Sequence, residues 1–150
     1  MKALRILLPP VHLFVSLVLM LLLDYVLPLH EFRLPYARTA GIIILLSGLG
    51  LIIYCAGLFR RAETPIIPFE KSTRLISSGI YRYSRNPIYL GMLIILTGAA
   101  IALGSLSPLF VIPLFYLIIL HGYILDEEIF LERLFGEEYT RYCKQVRRWF

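Results

Sequence analysis

Two short polar stretches interrupt an otherwise apolar chain, and both carry side chains able to do chemistry. The first, "GIYRYSRNPIYLG" (79–91), sets Tyr81, Arg82, Tyr83, Arg85, Asn86, Pro87 and Tyr89 directly before an apolar run. Pro87 suits the first turn of a helix, and Asn86 before it is a good N-cap. A helix start is a ready anion site. Arg85 beside it adds a guanidinium fork for a carboxylate. Gly91, one turn in, permits close approach. The second stretch, "DEEIFLERLFGEEYTRYCKQVRRWF" (126–150), opens on Asp126, Glu127 and Glu128. Carboxylates at a membrane boundary need a partner, which is Arg82, Arg85 or a cationic ligand. Taken singly, the tyrosines also read as an interfacial aromatic belt and the arginines as membrane anchors. Taken together, they suit a zwitterion that carries an additional positive centre.

The elements that must position these residues are helices in a bilayer. The chain has 150 residues, 59% of them hydrophobic, against roughly 45–50% in soluble domains. Its mean hydropathy is +0.77. The excess falls in four blocks, 11–29, 40–59, 88–106 and 108–125. Each is long enough to cross a hydrocarbon core of about 30 Å as a helix. Backbone groups in lipid must bond within their own segment, which selects helices. The sequence therefore predicts one all-α integral membrane domain over 1–150. It has about four transmembrane helices, a central loop (60–87) and a tail (126–150) of C-terminal amphipathic helices. The first block has no small-residue cleavage site after it and reads as a retained helix.

The link "GSLSP" (104–108) is so short that the third and fourth spans form an antiparallel hairpin. That hairpin brings Asn86-Pro87 level with Asp126–Glu128. Thirteen of the fifteen basic residues fall on the termini and the central loop, and only Arg33 and Arg38 fall on the other side. The positive-inside rule then places both termini and the loop in the cytoplasm. Anionic headgroups, not nucleic acid, are the partners for these helix-flanking charges.

The central loop is long for a bundle connection and holds Ile66, Ile67, Phe69, Leu75 and Ile76, which favours an ordered, functional segment. In the tail, apolar residues recur at helical spacing up to Phe135, Gly136 interrupts, and a second helical piece follows. Phe130, Leu134 and Phe135 are expected to pack on Ile66, Ile67 and Phe69. Cys55 and Cys143 form neither a disulfide nor a metal site. His121 reads as a base or, in preference, as a bond to a neighbouring helix, His12 and His30 carry no signal, and Gly48 and Gly50 read as a close-packing face.

These two stretches, at this separation, resemble the isoprenylcysteine carboxyl methyltransferase and phospholipid methyltransferase superfamily of membrane enzymes. The first motif is carried by Gly79, Tyr81, Arg85, Asn86, Pro87, Tyr89 and Gly91. The second is carried by Glu127, Glu128, Leu131, Phe135, Gly136, Glu138, Tyr139, Tyr142, Val146 and Arg148. Thr64-Pro65 and Pro68 match a feature of microbial members, and the likeness runs from about Arg60 to Trp149. Asn86 stands where the eukaryotic isoprenylcysteine enzymes usually carry His, and Arg147 where many members carry Pro.

The resemblance implies S-adenosyl-L-methionine held without a Rossmann domain, by the start of the third span, the central loop and the tail. It implies methyl transfer to a lipophilic or lipidated acceptor entering from the bilayer of a prokaryotic cell membrane. The residues it implicates are Arg85, Asn86 and Glu128 in catalysis. Tyr81, Arg85, Asn86, Pro87, Tyr89, Leu90, Gly91, Glu127, Glu128, Tyr139 and Tyr142 are implicated in cofactor binding. Either glutamate holds the ammonium or ribose, while Arg85 and the helix start position a carboxylate. The competing readings are a multi-span NADPH-dependent reductase and a non-enzymatic lipid-binding protein.

Overall fold

The computed structural model describes residues 8–32, 34–66 and 74–149. Ile67, Pro68 and Phe69, and the basic residues Lys2, Arg5, Arg33 and Lys71, lie outside the described residues. The described chain is helical with no strand. It runs α1 (Pro9–Val26), α2 (Ala37–Arg61), a 3₁₀ turn (Gly79–Arg82), α3 (Pro87–Leu103), a 3₁₀ turn (Ser107–Phe110), α4 (Val111–Ile119), a π turn (Leu120–Ile124), α5 (Leu125–Phe135) and α6 (Glu137–Gln145).

Among the described residues, three helical stretches are long and apolar enough to cross a membrane. They are Pro9–Val26, Ala37–Arg61 and the continuous rod Ser107–Phe135. The shorter α3 is apolar, with 17 residues. The fourth block therefore does not end near Leu125. Its helix runs on through the π turn into α5 and carries Glu127 and Glu128 with it. Phe14, Leu21, Ile43, Ile53 and Leu117 are exposed on the outer faces of α1, α2 and α4. Lipid is the solvent that favours such faces.

Packing is closest between α2 and α3. Gly41, Gly48 and Cys55 recur every seventh residue on one side of α2 and are buried. A Cβ at Gly48 would stand 2.6 Å from the Gly91 carbonyl, and one at Gly41 would stand 2.6 Å from the Gly98 carbonyl. Small residues that let two backbones touch are the usual glue of membrane helices. What approaches Gly91 is thus α2. Gly50 faces open space, so the packing face includes Gly48 and excludes Gly50.

The core lies where α1, α3 and the rod meet, around Met20, Met92, Leu96, Phe115, Ile119 and Tyr123. At the end away from the two polar stretches, Ser105 donates to Asp24 (2.5 Å), Ser107 donates to the Leu27 carbonyl and Leu106 N–H reaches the Leu29 carbonyl (2.8 Å). These bonds fasten the α1–α2 connection to the hairpin turn.

Candidate active site

At the opposite end a cavity of ≈ 240 Å³ opens among α1, α2, α3, α5 and α6. Its apolar walls include Pro9 of α1, Ile52 and Phe59 of α2, Met92 of α3, Ile124 of the π turn and Leu131 of α5. Its polar lining comes from the two stretches and the loop between α2 and α3: Tyr81, Arg85, Asn86 and Tyr89 from the first, Glu127, Glu128, Tyr139 and Tyr142 from the second, and Arg74 from the loop. The hairpin does bring the helix start level with the carboxylates.

The charges are organised rather than merely near one another. Glu128 forms an ion pair, through Oε1, with Arg85 Nη1 across 3.2 Å. It also takes a two-point fork from Arg148, Nε at 2.9 Å and Nη2 at 2.7 Å. Both Glu128 oxygens are therefore committed to guanidinium groups. Glu127 is held differently, by the Tyr89 hydroxyl at 3.0 Å. Among the described residues no lysine or arginine pairs with it. Arg85 Nη1 also donates to Cys143 Sγ at 2.8 Å, while its Nε is buried without an acceptor. Buried donors seldom stay unsatisfied, which marks Arg85 as an unusual group in this site. The site thus has an arginine whose buried Nε lacks an acceptor and a carboxylate that no described lysine or arginine pairs.

The tail closes over this end. Tyr142 donates to the Tyr81 carbonyl at 2.7 Å. Tyr139, Tyr142 and Val146 pack with Leu75, Leu131, Phe135 and Cys143. Burial raises the phenols of Tyr81, Tyr139 and Tyr142, so they remain protonated donors. Gly136, at φ +54°, makes the corner that folds α6 back. Of the expected tail contacts, Phe135 is in this cluster, whereas Leu134 and Ile66 are exposed. Leu75 takes the place expected for Ile66, because α6 rather than α5 supplies most of the docking face.

Asn86 precedes α3 and Pro87 begins it, as expected, but the Asn86 side chain makes no capping bond. Its amide donates instead to the Arg148 carbonyl at 3.1 Å. Pro87, Leu90 and Gly91 do not line the cavity. Pro87 is buried at the helix start and Gly91 packs on α2.

Sequence reasoning missed three residues. Arg148 was matched as a motif position without a role. Cys143 faces Arg85. His12, one turn from Pro9 on α1, is buried and bonds Tyr123 of the π turn at 3.2 Å with an edge-to-face ring contact. His121 is exposed on the outside of the rod and does not bond a neighbouring helix.

Comparison with known proteins matches residues 36–138 to the phospholipid methyltransferase family model. An uncharacterized protein of Haemophilus influenzae is 40% identical over 62 residues, 41% of this chain and 98% of that protein. A protein-S-isoprenylcysteine O-methyltransferase of Schizosaccharomyces pombe is 35% identical over 81 residues, 51% of this chain and 33% of that protein. A probable protein-S-isoprenylcysteine O-methyltransferase of Oryza sativa is 36% identical over 83 residues, 53% of this chain and 42% of that protein. The chain spans less than half the length of these two named relatives. No solved structure matches.

Proposed function

The chain belongs to the phospholipid methyltransferase family, and on that premise we propose that it is an S-adenosylmethionine-dependent methyltransferase acting on a lipophilic acceptor at the cytoplasmic membrane face. The observation that carries this reading is the meeting, on one cavity, of Arg85, whose buried Nε has no acceptor, with Glu127, which the Tyr89 hydroxyl holds and no described lysine or arginine pairs. A molecule with a carboxylate, an ammonium and a further cationic centre fits that pair, and an aromatic base fits the tyrosines beside it.

When bound, S-adenosylmethionine supplies a methyl carbon that an acceptor lone pair attacks while the carbon–sulfur pair returns to sulfur, leaving S-adenosylhomocysteine. Arg85 holds a carboxylate. Glu127, held in place by Tyr89, faces the cationic end. Glu128 keeps Arg85 oriented. Tyr81, Tyr139 and Tyr142 wall the pocket and donate from neutral hydroxyls. The closed tail excludes water, and fixed geometry supplies most of the acceleration expected of such a site. The apolar walls reach from the helix start into the bundle, which suits an acceptor delivered from lipid. Carboxylate, thiol and amine acceptors all fit this reading.

The test is calorimetry on detergent-solubilised protein with S-adenosylhomocysteine and with NADPH, followed by transfer of labelled methyl to a panel of prenylated thiols, acids and lipid amines. Binding of S-adenosylhomocysteine alone is expected. Binding of NADPH instead would replace this reading with a reductase.

A further inference from the structure

We propose that Arg148 is a positioning residue that sets the charge of Arg85 through Glu128, an inference that rests on the reading above. Glu128 stands between two guanidinium groups. Arg148 takes the two-point contact, at 2.9 and 2.7 Å, and leaves Arg85 a one-point contact at 3.2 Å. Two-point arginine–carboxylate pairs are the stronger and more directional arrangement. Without Arg148, Glu128 is free to close a two-point pair with Arg85. The Arg85 charge would then be spent inside the protein. With Arg148 present the triad carries a net positive charge, and Arg85, which lines the cavity, keeps its fork from closing on Glu128 and its buried Nε without an acceptor.

The backbone around Arg148 is built to hold it there. Arg85 N–H donates to the Arg147 carbonyl (3.1 Å), and the Arg148 carbonyl accepts from the Asn86 amide (3.1 Å) and the Ser84 hydroxyl (3.4 Å). On either side of this strap, Val146 is buried in the tail cluster and Trp149 packs on Tyr116 of α4 with ring centroids 5.5 Å apart. Asn86 therefore gives up its capping role to grip the strap. The residue singled out at that position for chemistry acts here by holding Arg148 in register with Glu128.

Two probes separate positioning from general support of the fold. S-adenosylhomocysteine carries the amino-acid carboxylate, and 5′-methylthioadenosine lacks it. Arg148→Ala is expected to weaken S-adenosylhomocysteine by roughly tenfold, the scale of one charge-assisted contact. It should leave 5′-methylthioadenosine within about twofold, since that probe makes no use of Arg85. Arg148→Lys, which restores the charge without the fork, should recover part of the loss. In a Glu128→Gln background, Arg148→Ala should add little, because its effect passes through that carboxylate. Equal weakening of both probes, or weakening of neither, would overturn the proposal. A full additional loss in the Glu128→Gln background would also overturn it. If the unsubstituted protein binds 5′-methylthioadenosine but not S-adenosylhomocysteine, the assignment of a carboxylate to Arg85 fails. If it binds neither, the cofactor reading fails, and this inference falls with it.

Discussion

The hydroxyl of Tyr142 donates to the main-chain carbonyl of Tyr81 across 2.7 Å, joining α6 to the turn in front of α3. Both residues are buried, and 61 positions separate them in sequence. Tyr142→Phe keeps the ring in the cluster with Tyr139 and Val146 but strands a buried carbonyl. An unsatisfied buried acceptor costs about 1–3 kcal/mol. The tail is therefore expected to become protease-sensitive in Tyr142→Phe while the helices stay inserted. Limited proteolysis in detergent measures this, and a tail as resistant as that of the unsubstituted protein would show that the bond contributes nothing to docking.

Glu127 and Glu128 are adjacent but have different surroundings, so their substitutions should read differently. Glu127→Gln keeps an acceptor for Tyr89 and removes only the charge that faces the cavity. Its thermal stability should change little, while S-adenosylhomocysteine binding weakens by at least ~1 kcal/mol, the scale of a charged contact. Glu128→Gln leaves two guanidinium groups facing each other. It should lower the unfolding temperature as well as affinity. Calorimetry and thermal unfolding on the two variants decide the matter. Equal behaviour in both assays would mean that the two carboxylates share one role.

Much of this was written in side-chain type and spacing. Arg85 and Glu128 are legible because a short hairpin link and the lengths of the third and fourth apolar blocks fix their level along the bundle, and opposite charges at a membrane boundary must meet. Tyr81, Tyr89, Tyr139 and Tyr142 are legible because the motifs name them. The Asn86–Arg148 contact is not legible, since it ends on a main-chain carbonyl and a carbonyl has no residue signature. Nor is the His12–Tyr123 pair. Its members lie 111 positions apart, and no spacing within either helix points from one to the other. Gly91 reads equally well as a ligand approach or a helix contact, and only packing against Gly48 and Ile52 separates the two.

The glycine seam makes a paired prediction. A Cβ at Gly91 would lie 2.7 Å from Ile52 Cγ1 and 2.9 Å from the Gly48 carbonyl. Gly91→Ala must push α2 off α3, an overpacking penalty of about 1–3 kcal/mol. Gly50→Ala meets nothing within 4 Å. It should be neutral, or stabilising by up to ~1 kcal/mol from the helix preference of Ala alone. Thermal unfolding of both variants in one detergent checks the order. Destabilisation by Gly50→Ala as large as by Gly91→Ala would mean that the outer face of α2 is packed in the membrane.

The distribution of basic residues predicts an orientation that labelling can test. With Cys55 and Cys143 replaced, a cysteine at exposed Ser77 or Tyr83 should resist a membrane-impermeant reagent applied to intact cells. One at exposed Tyr36 or Arg38 should react. Labelling of Ser77 from outside would invert the assigned topology and move the cavity to the other face.

The last prediction concerns the tail as the closing element. The tail's buried side chains, Tyr139, Tyr142 and Val146, contact Leu75 of the loop and Leu131 and Phe135 of α5, while Arg148 and Trp149 reach Glu128 and Tyr116. The rest of the bundle is held without the tail, by the α2–α3 glycine seam, the core around Phe115 and the hydrogen bonds between Asp24 and Ser105 at the far end. Each buried tail side chain contributes about 1.5–3 kcal/mol to closure. That is enough to keep the site shut and still allow opening for product release. Removing residues from Gly136 onward should therefore leave an inserted, monodisperse helical protein with no measurable affinity for S-adenosylhomocysteine. Its Glu128 would be free to pair fully with Arg85, and two of its pocket tyrosines would be gone. Size-exclusion chromatography and circular dichroism establish the fold, and calorimetry then reads binding. Normal affinity in the truncated protein would withdraw Tyr139 and Tyr142 from the pocket and leave the tail a role only at the membrane surface.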